Sequence, residues 1–163
     1  MLFRSTSPGD DVGTNYDNAL GDLSQASYIP NPGNGTNQNG DKPQEVLFIV
    51  TDGVEDEQSG GSRLQQAMND LGNAPSGNSS STNWCTTIKN RGIRIAVLYT
   101  TYLPLPTNSW YNDNISSFQP NIGPTLQNCA SPGLYFQVST NQDISGAMVQ
   151  LFNVAVLTAR LTK

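Results

Sequence analysis

Glu45-Val46-Leu47-Phe48-Ile49-Val50-Thr51-Asp52-Gly53 is the stretch that decides the fold. Apolar residues follow one another from Val46 to Val50 without polar alternation and stop at Asp-Gly, which reads as a parallel strand buried on both faces and ended by a turn. Ile93-Arg94-Ile95-Ala96-Val97-Leu98-Tyr99 repeats the pattern. Just before it, Cys85 to Arg91 predicts a short helix with basic residues in its last turn, and Gly92 stands where a left-handed residue would end that helix. Leu134-Tyr135-Phe136-Gln137-Val138 predicts a third strand, and Ser139-Thr140-Asn141-Gln142 has the pattern of a capping box. The helix beyond it carries Ile144, Ala147, Met148, Leu151, Phe152 and Ala155 on one face, so it is expected to lie along a sheet.

Upstream, Tyr16, Ala19, Leu20 and Leu23 predict a helix starting beside Thr14, and Leu64, Ala67, Met68 and Leu71 suggest another short one. The stretches 30–43, 75–81 and 101–132 read as loops, rich in Gly, Pro, Asn or Ser. The last contains Trp110, Tyr111 and Phe118, which predicts a segment packed onto the body. Helices alternating with strands define a single α/β domain over residues 1–163 with a parallel sheet. Three strands supply only one flank of a doubly wound sheet, so the expected architecture is an incomplete one with flanking helices.

Composition narrows the function. With 8 Lys and Arg against 13 Asp and Glu, the chain has a formal charge of -5 and no basic footprint for nucleic acid. Zero His excludes Ser-His-Asp and Cys-His nucleophile systems and His-ligated zinc together. Cys85 and Cys129 are too few for a four-ligand zinc site, which leaves either a disulfide or two buried thiols. Low charge and long polar loops favour an exported protein, yet Met1-Leu2-Phe3-Arg4-Ser5 opens no apolar signal region, and no run approaches a membrane span.

Ligands of open parallel sheets gather outside the carboxyl ends of the strands, where Asp52 stands. It is a turn or cap residue, or a ligand for a hard cation, which takes oxygen donors. Thr14 carries the same two readings, helix cap or cation ligand. Glu55-Asp56-Glu57 reads as a solvated face or an extension of that site, and Trp110, Tyr111 and Phe118 as a loop-tethering cluster or a recognition patch.

Gly13-Thr14-Asn15-Tyr16-Asp17-Asn18-Ala19-Leu20 and Val46 through Gly53 together resemble the second and third segments of the metal-ion-dependent adhesion site of von Willebrand factor A domains. The resemblance implies Thr14 and Asp52 as ligands of a divalent cation, Mg²⁺ or Mn²⁺. The family's first segment, Asp-x-Ser-x-Ser, is absent from this chain.

A narrower resemblance runs over about residues 45–163. Val50-Thr51-Asp52-Gly53-Val54, Cys85-Thr86-Thr87-Ile88-Lys89, Ile93 through Pro106, and Cys129-Ala130-Ser131-Pro132-Gly133-Leu134-Tyr135-Phe136 resemble, in this order, the C-terminal part of TadG-like proteins of Tad (Flp) pilus assembly. What this implies is a von Willebrand A-like (Rossmann-like) domain lacking its N-terminal strands, in the periplasm or at the cell surface. Inner-membrane anchoring by an upstream helix, a Cys85–Cys129 disulfide, and partners among pilus-assembly or pilin proteins are implied with it. The expected function is non-enzymatic adhesion or assembly at the carboxyl edge of the sheet. The alternatives are a Mg²⁺-dependent hydrolase using Asp52, against which Val54 occupies the place of a second carboxylate, and a truncated fragment with no separate activity. Without the family's first strand, Val46 to Val50 should form an exposed apolar edge open to self-association.

Overall fold

A computed structural model of the chain describes residues 13–33, 44–59, 62–68, 71–73, 79–139 and 141–160. In chain order the elements are α1 (Tyr16–Leu23), β1 (Glu45–Thr51), β2 (Val54–Ser59), β3 (Ser62–Ala67), β4 (Leu71–Asn73), β5 (Ser79–Asn83), α2 (Trp84–Asn90), β6 (Ile93–Thr100), α3 (Ser109–Asn114), α4 (Gln119–Cys129), β7 (Tyr135–Val138) and α5 (Ile144–Arg160). The main sheet has the order β1-β6-β7, with both pairings parallel. Glu45 pairs in register with Ile93 and Thr51 with Tyr99, so the two apolar runs lie side by side along their whole length. Two antiparallel pairs, β2-β3 and β4-β5, form separate two-stranded sheets.

The alternation of side chains across a strand explains how the sheet is sandwiched. Ile93, Ile95, Val97 and Tyr99 of β6 face a core with α1, α2 and α4, which Leu47 and Ile49 of β1 join. Ala96 and Leu98 face the opposite side, where Leu151 and Ala155 of α5 cover them and Val46 and Phe48 pack alongside. β6 is therefore the strand buried on both faces. β1 is only half-buried, with Val50 51% exposed, and among the described residues it pairs with β6 alone. Among the described residues β1 thus stands at the edge of the main sheet, but of the run expected to be exposed only Val50 is, while Val46 to Ile49 are half-buried.

Cys85 and Cys129, both fully buried, form a disulfide joining the start of α2 to the end of α4. Gly92 follows α2 with φ +84°, as a helix terminator should. In the expected capping box, the Ser139 N–H donates to Gln142 Oε1 at 2.8 Å, but α5 begins only at Ile144. Its apolar face is divided: Leu151 and Ala155 are buried, whereas Ile144 and Phe152 are largely exposed, Phe152 stacking on Phe48 with ring centres 6.0 Å apart.

Three readings need correction. The helix expected around Leu64 to Leu71 is strand β3 followed by β4, because Leu64 to Ala67 pair across an antiparallel ladder with Val54 to Glu57. The stretch 101–132 contains two helices. Pro120 occupies the first turn of α4, where its missing N–H costs nothing, and Pro124 lies inside. The spacing of Ile122, Leu126 and Cys129, all fully buried, carries the helix despite both prolines. Of the stretch 75–81, Ser79 onward belongs to β5, while 74–78 lie outside the described residues, as do 34–43 of the loop 30–43.

Candidate functional site

Asp52 follows the last residue of β1, and its exposed carboxylate accepts the Val54 N–H at 3.2 Å. This is the turn role expected of it, but the element that follows is a strand. Gly53 permits the sharp exit in two ways: its φ is +75°, and a Cβ there would lie 2.4 Å from Ile122 Cγ2 and 2.8 Å from Leu126 Cδ1. The chain then enters β2, whose alternation sends Glu55 and Asp56 to opposite sides.

Glu55 is fully buried, so the reading of Glu55-Asp56-Glu57 as a solvated face fails at its first residue. Its Oε1 accepts the backbone N–H groups of Tyr16 at 3.1 Å and Asp17 at 3.4 Å, and its Oε2 accepts Gln66 Nε2 at 3.1 Å. A carboxylate at the first turn of α1 satisfies N–H groups that have no partner within the helix and sits at the positive end of its dipole. The N-cap itself is Asn15, whose side chain accepts the Asn18 N–H at 2.8 Å, and this removes the capping role considered for Thr14.

Thr14 is instead laid against β2: its carbonyl accepts the Asp56 N–H at 3.0 Å. The backbones approach so closely that a Cβ on Gly13 would fall 1.7 Å from the Asp56 carbonyl oxygen. α1 is also fastened to the end of β1, since the Tyr16 hydroxyl is hydrogen-bonded to Thr51 Oγ1, which accepts the Gly53 N–H at 2.9 Å. Burial first, and then the negative charges of Asp52 and Glu55, push the Tyr16 phenol up to about 12, against the lowering effect of the Thr51 bond. At the other end of α1, the Arg91 guanidinium donates to the Leu23 carbonyl at 3.1 Å, to the Ile29 carbonyl, and to Asn31 Oδ1 at 2.8 Å.

These tethers bring Thr14 and Asp52 into one cleft of about 200 Å³ at the carboxyl end of the sheet, together with Asp56, Gln65, Tyr102, Trp110 and Ile115. Asp56 Oδ1 accepts Gln65 Nε2 at 2.7 Å across the β2-β3 ladder. The aromatic trio of the sequence separates here: Tyr111 is buried and stacks on Tyr102 with ring centres 6.3 Å apart, and Phe118 packs on the core. Trp110 lines the cleft and stays 52% exposed. Burial, and secondarily the Asp52 charge, raise the Tyr102 phenol above its ordinary value. Leu103 and Leu105, which follow Tyr102 in the chain, are both exposed.

The cleft's lining offers hydroxyl, carboxylate and amide oxygens, and among the described residues that line it there is no Lys or Arg. In kind, Thr14 and Asp52 fit a hard divalent cation, and Asp56 shares their wall. Sequence reading missed Gln65, Tyr102 and Ile115. Tyr102 and Ile115 follow the β6 run within a segment taken as loop, and Gln65 belongs to a strand without an apolar pattern.

No family model matches the chain, and no curated protein matches it. Among solved structures it is similar to the pilus adhesin SpaC from Lactobacillus rhamnosus GG in its open conformation, at 15% identity and a TM-score of 0.47, over 90% of this chain and 19% of the adhesin. A second crystal structure of SpaC gives 14% identity and a TM-score of 0.45 over the same shares. The chain thus spans 19% of the length of the adhesin it matches.

Proposed function

We propose that this chain is an extracytoplasmic adhesion or assembly module, von Willebrand A-like in its fold, that docks a protein partner of a Tad-type pilus at the carboxyl edge of its sheet. The observation that carries the reading is the mixed surface at that edge: a cleft lined by Thr14, Asp52, Asp56, Tyr102 and the half-exposed Trp110, with the exposed Leu103 and Leu105 following Tyr102 in the chain. Exposed apolar groups around a polar depression are the composition of a protein-binding patch. The Cys85–Cys129 disulfide supports an oxidising compartment, and among the described residues no helix is long and apolar enough to cross a membrane.

A divalent cation is part of this reading. Thr14 and Asp52 would hold it, and its charge would attract an oxygen ligand of the partner. The module is proposed to act by binding, without catalysis. The lack of His removes the usual acid-base group, and Val54 follows Asp52 where an aspartate phosphotransferase needs its second carboxylate.

The test is made in the whole pilus protein. Replacing Leu103 and Leu105 together with Asp should leave its abundance and disulfide unchanged while reducing surface pili at least tenfold, counted by electron microscopy. Normal piliation in that variant rejects docking at this edge. Turnover in a phosphatase and esterase screen that Asp52→Asn abolishes would favour the hydrolase instead.

A further inference from the structure

We propose that the chain forms a two-fold dimer in which the α5 helices of two copies lie side by side in parallel, each filling the recess over the other's β1. No residue of this surface lines the cleft, so the dimer and the docking at the carboxyl edge stand or fall separately.

Helix α5 carries two apolar faces. Leu151 and Ala155 face inward and pack with Ala96 and Leu98 of β6. Val149, Phe152 and Val156 are 58%, 54% and 37% exposed, and their spacing of three and four residues puts them on a second stripe. The stripe lies on the flank of α5 next to β1, because Phe152 stacks on Phe48. On β1, alternation turns Val46, Phe48 and Val50 to the side of the sheet that α5 covers, yet Val46 and Phe48 are only half-buried and Val50 is exposed. A ridge one helix wide thus stands beside a recess with an apolar floor.

That shape is complementary to itself. A two-fold axis between ridge and recess, parallel to α5, lays each copy's α5 over the other's β1 and fills both recesses at once. The spacing of Val149, Phe152 and Val156 is that of the seam between two parallel helices, where each residue meets its own image. Such an axis would bring any charge close to its like, and residues 46–51 and 144–157 contain no Asp, Glu, Lys or Arg in a chain of formal charge -5. Arg94, beside Val46 in the ladder, donates to the Ala155 carbonyl at 3.0 Å. At their fractional exposures, Val50, Val149, Phe152 and Val156 present on the order of 300 Å² of apolar surface, enough for the apolar centre of an interface that buries about 800 Å² per partner.

The experiment is sedimentation equilibrium of the chain, paired with oxidative trapping of introduced thiols. The parent should be dimeric at about 100 μM. Val149→Asp should weaken dimerisation at least tenfold, whereas Leu157→Asp, on the same helix and 59% exposed but off the stripe, should not weaken it. Cys85 and Cys129 are paired with each other, so one introduced cysteine supplies the reactive thiol. Val149→Cys should be trapped as a covalent dimer, and Leu157→Cys should not; should Val149→Asp misfold, this comparison decides by itself. A monomeric parent, assembly beyond two copies, parental affinity in a folded Val149→Asp, or equal trapping at both positions would overturn the proposal.

Discussion

The Glu55 carboxylate accepts the backbone N–H of Tyr16 at 3.1 Å across 39 residues of sequence. The contact fixes the start of α1 against β2, and with it the position of Thr14 on the cleft wall. Glu55→Ala would leave buried N–H groups without their acceptor, and a loss of about 2 kcal/mol is expected. Glu55→Gln, which keeps an oxygen but loses the charge, should cost less. Urea unfolding of both variants measures the difference, and equal stability of Glu55→Ala and the parent chain would contradict the capping role.

The Tyr16 phenol gives the fold an alkaline limit. Its folded value of about 12 exceeds the ordinary 10.0, so the native state holds the proton more tightly than the unfolded state. This contribution is complete below pH 10 and is lost as pH rises toward 12. It is worth on the order of 2–3 kcal/mol. Tyr16→Phe should flatten this part of the profile, as followed by denaturant midpoints across that range, with phenolate absorbance reporting the late-ionising group.

The disulfide closes a loop of 44 residues between two fully buried cysteines. In the chain-entropy account such a closure stabilises by about 4 kcal/mol. Replacing both Cys85 and Cys129 with Ser should lower the unfolding free energy by that order, and reductant should then have no further effect. An unchanged midpoint on full reduction of the parent protein would refute this.

Metal affinity should be low in the chain by itself. Thr14, Asp52 and Asp56 are the aliphatic hydroxyl and carboxylate side chains among the described residues that line the cleft, against the six oxygens a Mg²⁺ ion takes. Calorimetric titration should find no saturable Mg²⁺ or Mn²⁺ binding below about 1 mM. Micromolar affinity abolished by Asp52→Asn would show that these side chains suffice.

The main sheet was legible because the runs from Val46 to Val50 and from Ile93 to Tyr99, interrupted only by Arg94, are short, apolar and rich in β-branched residues, the pattern of strands in a parallel sheet. The small antiparallel pair β2-β3 was not. Its residues are chiefly Glu, Asp, Gln, Ser and Arg, so hydrophobic period was absent, and Gly60-Gly61 between two six-residue runs was the remaining hairpin signal. The site was half-legible for a related reason. Thr14 and Asp52 stand out by type and position, whereas the burial of Glu55 depends on α1, a helix more than thirty residues away in sequence, and no local pattern encodes that meeting. Trp110 and Tyr111 are neighbours of the same chemical class with opposite fates, and helix α3 decides which faces inward.

The Cys85–Cys129 bond determines how this chain would yield if its two ends were pulled apart. β6, the strand to which both β1 and β7 pair, lies wholly inside the covalent loop, together with α3 and most of α4. Pulling on the two ends of the chain can peel β1 or β7 away but cannot draw out the middle strand. The 44-residue loop withholds about 150 Å of contour from extension. In single-molecule stretching the oxidised chain should give a shorter unfolding step than the reduced one by that length, and thus the bond works as a stop on elongation.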